Sequence, residues 1–214
     1  MKNTFNINTL IISFLLLVTI AVFSCKPPEP LPPYTYETNP KYTWGFAEFY
    51  GSYYSNYDIP NNVVMLNLFT EKLFVNDKNQ LDGVGQYLII QDIFSAPGDT
   101  LLLSGEYKVA ETGEPFTFYS GKKFEDNREI IPSGAFVYYL EAEPTKSKIV
   151  YIVDGTMNIS TMDYKTYTIS CNFILDDKTE LKGTFNSILD FYDKAAETPP
   201  SMERQRLQLK QKIN

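Results

Sequence analysis

From about Tyr42 to Tyr192 the chain alternates apolar and polar positions in short runs. In Tyr167-Thr168-Ile169-Ser170-Cys171-Asn172-Phe173 the alternation puts Tyr167, Ile169, Cys171 and Phe173 on one face. A period of two marks a half-buried strand. Runs of this kind predict strands near 43–54, 62–70, 84–94, 104–110, 115–120, 134–142, 147–153, 155–160, 164–175 and 181–192. Turn clusters separate most of them: Asn61-Asn62, Asn76-Asp77, Pro97-Gly98-Asp99, Thr112-Gly113, Asp154-Gly155 and Asp176-Asp177. No stretch here holds a helical period. Short strands with close turns predict an all-β domain, an antiparallel barrel or sandwich of about 8–10 strands.

The flanks have a different pattern. Leu10 to Phe23 is almost wholly apolar, after Lys2 and a polar stretch from Asn3 to Asn8. That run is short for a membrane span and suits the core of a signal peptide. Pro27, Pro28, Pro30, Pro32, Pro33 and Pro40 follow, a semi-extended tether. At the other end Pro199-Pro200 marks a boundary. Ser201 is placed to cap a short helix over 202–211, in a tail whose charges from Ala195 onward are Glu197 and Glu203 against Arg204, Arg206, Lys210 and Lys212. The expected organisation is a signal peptide (1–24), a lipidated Cys and tether (25–41), a β domain (42–193) and a polar, helix-capable tail (194–214).

Val22-Phe23-Ser24-Cys25 resembles the lipobox of bacterial lipoproteins, in the relaxed form frequent in Bacteroidota. The resemblance implies cleavage before Cys25, acylation of that residue and a membrane partner reached through the lipid. It points to the cell envelope, to the outer membrane before the inner. Two or more acyl chains anchor stably where one does not. Lys26 and the single Glu29 leave the surface and periplasmic sides both open.

Asp77-Lys78-Asn79-Gln80-Leu81-Asp82-Gly83 matches Asp177-Lys178-Thr179-Glu180-Leu181-Lys182-Gly183. Each copy follows one strand and leads into another, which predicts two related three-stranded meanders with the Asp-Lys pair in a hairpin turn. Phe49-Tyr50-Gly51, Gly105-Glu106-Tyr107 and the late strands 167–175 and 181–189 are similar to the motif logic of a broad set of Bacteroidota lipoproteins. That resemblance implies an all-β envelope domain and assigns no chemistry.

Charge and composition narrow the functions. The net charge is -7, and Lys2 is the one charged residue of the leader, so the mature chain is more negative still. Nucleic acid is excluded as a partner, because phosphate binding needs clustered Lys and Arg. The chain has no histidine. No Ser-His-Asp triad, Cys-His dyad or His-ligated metal site can form. With Cys25 acylated, Cys171 has no intramolecular partner and reads as a small buried hydrophobe. Glu141 and Glu143 are the best local carboxylate pair, on a face shared with Val137 and Tyr139. Phe136, Tyr138, Leu140 and Ala142 form the opposite face, expected to be the core side. No phosphate loop or dinucleotide fingerprint occurs, and no cofactor is expected.

Aromatic residues supply the binding candidates. Trp44, Tyr50, Tyr53, Tyr54 and Tyr57 cluster early, with Tyr139 a further candidate. Such rings can seat sugar faces, and Tyr tips add hydrogen bonds. Asp99-Thr100-Leu101 resembles the Bacteroidota O-glycosylation acceptor, which makes Thr100 a candidate for modification. Asp126-Asn127 and Asp176-Asp177 could hold Ca2+ but read first as turns. Three functions follow: a non-catalytic envelope lipoprotein binding a glycan or an envelope protein, a lipocalin-like barrel around a small apolar ligand, and a carboxylate glycosidase.

Overall fold

The computed structural model describes residues 36–126 and 129–195. These belong to one compact unit, Pro33–Asn214; the other unit, Met1–Pro32, lies outside the described residues with the leader, Cys25 and the first prolines, as do Asn127 and the tail from 196 onward. The strands are β1 (Lys41–Phe49), β2 (Asn62–Thr70), β3 (Leu73–Val75), β4 (Leu81–Gly83), β5 (Gly85–Ser95), β6 (Gly105–Val109), β7 (Thr117–Phe118), β8 (Lys122–Asp126), β9 (Glu129–Ser133), β10 (Ala135–Leu140), β11 (Lys148–Thr161), β12 (Thr166–Leu175), β13 (Glu180–Leu181), β14 (Thr184–Ile188) and β15 (Asp190–Asp193). No α-helix occurs among the described residues.

The pairings close on themselves. Going round, β1 pairs β2, then β5, β10, β11, β12 and β14, which returns to β1. Closure removes the sheet edges that would otherwise invite pairing with another chain. At one end β10 fills the place between β5 and β11; at the other, β7 and β6 do, through Ile93↔Phe118 and Met157↔Tyr107. The barrel is not wholly antiparallel. With an odd number of strands in an up-and-down ring, the first and last run the same way. Accordingly β1 pairs in parallel with β14 (Lys41↔Thr184) and then with β15 (Phe46↔Asp190).

Side chains fill the interior. Tyr42, Leu66, Leu68, Leu88, Ile90, Tyr107, Phe118, Val137, Ile152, Met157, Tyr167, Ile169, Phe173 and Phe185 form one buried cluster with Cys171 among them. Burial pushes the Cys171 thiol up, which disfavours its thiolate. The buried tyrosines carry their hydroxyls to backbone: Tyr167 donates to the Leu102 carbonyl at 3.2 Å and Tyr107 to that of Leu103 at 3.0 Å.

Three details differ from expectation. Asp154-Gly155 is a bulge, not a turn. Strand β11 runs unbroken through it with a register shift between Ile152 and Asp154. Gly155 has φ +119°, and a Cβ there would lie 2.2 Å from the Asn172 carbonyl oxygen, so the bulge needs glycine. Strand β10 faces the other way from its predicted sense. Val137 and Tyr139 point into the barrel, while Phe136 joins a separate buried cluster with Ile89 and Tyr151. Both faces are apolar there, so alternation could not tell inside from outside. The first strand stops at Phe49 rather than running to 54, and a loop with one 3-10 turn, Ser55–Tyr57, follows.

The repeated heptads sit at the same place in two meanders, but the first closes β3 on β4 as a separate two-stranded sheet and the second closes β12 on β13 within the barrel wall. Strands β1–β2–β5 and β11–β12–β14 are both antiparallel meanders, and each carries its heptad between the second and third strand. The turns are of the same kind but are offset by one residue. Asn76 N–H donates to the Gln80 carbonyl and Asn79 N–H to that of Asn76; in the other copy Leu175 N–H donates to Thr179 and Lys178 N–H to Leu175. Asn79 (φ 58°) thus corresponds to Lys178 (φ 69°), not to Thr179.

Residues 36–40, inside the span read as tether, contact the barrel. The Thr38 and Pro40 carbonyls accept from Lys182 and Thr184 N–H at 2.7 and 3.0 Å. The fully buried Gln86 side chain accepts from Glu37 N–H and donates to the Glu37 carbonyl.

Candidate functional site

A bulge builds the candidate face. In β1 the register shifts between Tyr42 and Trp44. Tyr42 and Ala47 therefore both face inward, and Trp44 and Phe46 face out. The pairing then lines up rings across the wall. Trp44 lies opposite Phe69, and Phe69 opposite Tyr87. Directly opposed residues on one face of an antiparallel pair touch. Trp44 stacks on Phe69 at 3.9 Å and 8°, and Phe69 on Tyr87 at 4.2 Å and 19°. The indole N–H of Trp44 donates to the Leu73 carbonyl at 2.8 Å, which fixes the ring. The next row reads Asp190, Phe46, Asn67, Ile89, Phe136 and Tyr151 across β15, β1, β2, β5, β10 and β11.

Polar groups are set among these rings. Asn67 is 0% exposed. Its Oδ1 accepts the Tyr87 hydroxyl at 2.5 Å, and its Nδ2 has no partner. Tyr50 donates its hydroxyl to Glu48 at 2.9 Å. The Tyr87 hydroxyl is held well above the usual tyrosine range, first by burial and then by the nearby Glu48 and Tyr50. Trp44, Phe46, Glu48 and Tyr87 keep part of their surface exposed, while Asn67 and Phe69 between them are buried, so the accessible ring faces are those of Trp44, Phe46 and Tyr87.

The remaining candidates fall elsewhere. Tyr53, Tyr54 and Tyr57 join Tyr50, Val63, Phe94, Ile59 and Tyr119 in a satellite core, with Tyr54 buried at its centre. Their rings pack on each other, Tyr53 on Tyr54 at 4.7 Å and Phe94 on Tyr119 at 4.8 Å. Tyr139 lies inside the barrel end, covered by Tyr36 at 4.3 Å, with the Lys148 ammonium 4.6 Å from the Tyr36 ring and 5.2 Å from the Tyr139 ring. Thr100 is exposed in the loop after β5. Glu143 pairs with Lys146 at 3.0 Å, and the backbone N–H of Glu141 donates to Ser147. Asp176 and Asp177 serve their turn: Asp176 accepts from Tyr151 N–H and Asp177 from Thr179 N–H. Asn127, of the other Ca2+ candidate, is outside the described residues. A cavity of about 190 Å³ opens beside β1, lined by Glu37, Lys41, Glu71, Lys72, Thr70 and Val84.

Phe69, Tyr87, Asn67 and Glu48 were not singled out from the sequence. Only the register brings them to Trp44. One signal was present: Asn67 is the lone polar residue in Val63-Val64-Met65-Leu66-Asn67-Leu68-Phe69. Fold and face together define a closed all-β barrel with one aromatic outer wall. The chain matches no family model, no curated protein and no solved structure.

Proposed function

We propose that this is a non-catalytic lipoprotein of the cell envelope, anchored through acylated Cys25, whose barrel binds an envelope component, a glycan or a protein, on its aromatic wall. The observation that carries the reading is the wall itself. A barrel needs an apolar interior, and its exterior can be polar throughout. Here Trp44, Phe46 and Tyr87 stand half-buried on that exterior, packed around the buried Phe69. Contiguous aromatic surface beyond what folding requires marks recognition. The interior supports this reading over the lipocalin-like one, because the space a ligand would take holds Tyr42, Tyr107, Tyr167, Phe118, Phe173 and Phe185. Of the carboxylates singled out for the glycosidase reading, Glu143 is exposed and pairs with Lys146 at 3.0 Å. The leader supports the anchor: palmitate label should be lost in Cys25→Ala and kept in Cys171→Ala. Label surviving Cys25→Ala would refute it.

The test of binding is a thermal-shift screen of the mature chain, carrying Cys25→Ala, against polysaccharides, fatty acids and envelope extracts. A ligand of the folded state must raise the melting temperature. A shift with fatty acids alone would return the lipocalin-like reading.

A further inference from the structure

We infer that Asn67, Glu48 and Tyr50, with the Trp44–Phe69–Tyr87 stack, form a carbohydrate site on the outer wall of β1 and β2. The inference deepens the recognition reading above and rests on it. It starts from Asn67. A buried amide donor without a partner destabilises the fold, and an apolar residue would serve a purely structural position better. Both cross-strand neighbours of Asn67, Phe46 and Ile89, are apolar. The unpaired Nδ2 calls for an acceptor that the barrel does not supply.

The chemistry around it selects the class of acceptor. A sugar ring offers hydroxyls that both donate and accept, and an apolar C–H face. Here an amide donates, the Glu48 carboxylate accepts, and the Tyr50 hydroxyl orients that carboxylate at 2.9 Å. Rigid rings stand beside them, because Phe69 is clamped on both faces by Trp44 and Tyr87. A protein partner would favour uninterrupted apolar area; the buried amide and the carboxylate interrupt it. The amide has no exposed surface, so a sugar would have to displace its cover, where Phe46 lies directly opposite Asn67.

Trp44 is the one tryptophan of the chain and reports directly on this wall. The experiment titrates the mature Cys25→Ala chain with laminarin, dextran, yeast mannan and chitin oligomers, following Trp44 emission and melting temperature together. At least one should change the emission saturably. Asn67→Leu should weaken binding about tenfold, as should Glu48→Gln, which keeps an acceptor for Tyr50; the melting temperature of Asn67→Leu is read beside it, because that change also removes the acceptor of the Tyr87 hydroxyl. No emission change with any of the four, or undiminished binding in both variants, overturns the site. A melting shift without any response from Trp44 or the variants overturns the site and leaves the recognition reading standing. Should Asn67→Leu fail to fold, Asn67 is structural and the inference falls.

Discussion

The two halves of the barrel's exterior are built from the same strand geometry and opposite chemistry. On β12 the outward residues are Thr166, Thr168, Ser170 and Asn172, all exposed, and on β14 Thr184 and Asn186 continue them. On β1, β2 and β5 the same positions hold Trp44 and Phe46, Asn67 and Phe69, and Tyr87 and Ile89. The inward faces do not differ in kind. Ile169, Cys171 and Phe173 on one side match Leu66, Leu68 and Leu88 on the other. The interior therefore accounts for closure, and the polar half shows that closure is compatible with a wet wall. The aromatic half is an addition to the fold, with a reason of its own.

The largest expected effect tests how much of that addition is also structural. Phe69→Ala removes the middle ring of the stack from a site 3% exposed and should cost about 3–5 kcal/mol. Thr168→Ala on the polar half should cost under about 1 kcal/mol. Urea unfolding of the two variants measures both. Equal costs would mean the two walls contribute alike, and the contrast would lose its physical meaning.

The contrast also decided what could be read in advance. Strand β12 alternates exposed and buried along its length because one face is wet, and the sequence showed its inner set correctly. Strand β2 is buried on nearly every residue, so Asn62 to Thr70 gave a strand but no sides. Strand β10 was turned inside out for the same reason. The early aromatic cluster was visible as composition, but its division was not. Trp44 joined the outer wall through a bulge, while Tyr53, Tyr54 and Tyr57 went to a satellite core. Partners from distant strands, Phe69 and Tyr87 above all, follow from register, which one sequence does not reveal. The parallel closure of β1 on β14 and β15 was equally hidden, since it depends on the strand count of the whole ring.

Alkaline titration sharpens the comparison from inside. Tyr107, Tyr139 and Tyr167 face the interior, and burial raises each from 10.0 to about 12. Tyr87 on the outer wall is also raised, again by burial first. In the unfolded chain these phenols ionise near 10, so the stability they contribute is complete below that pH. It is lost as pH rises through the folded values. The final part of the rise in phenolate absorbance should therefore coincide with loss of the β-sheet signal, between pH 10 and 12. Ionisation of these residues well before unfolding would show that their burial is not maintained in solution.

A smaller effect isolates the polar group of the outer wall. Tyr87→Phe keeps the stack on Phe69 and removes the donor to Asn67 Oδ1. The amide then has both ends unpaired, at a cost of about 1–3 kcal/mol. The double change with Asn67→Leu should recover most of that loss, because the orphaned amide is gone. A double-mutant cycle with no coupling would remove the hydrogen bond from the account.

The smallest effect comes from copying one wall onto the other. Thr168 lies directly opposite Asn186, as Phe69 lies opposite Trp44. Thr168→Tyr with Asn186→Phe would place an aromatic pair on the polar half. Cross-strand aromatic pairs contribute about 0.2–1 kcal/mol, so the double variant should be slightly more stable in urea. It should bind no more polysaccharide than the parent chain, with the same rise in melting temperature at each concentration. Rings alone on a barrel wall would then raise stability without making a site, which is the distinction drawn from Asn67 and Glu48. A variant that gained polysaccharide binding on the new wall would show that aromatic surface suffices, and the amide and carboxylate would lose their assigned part.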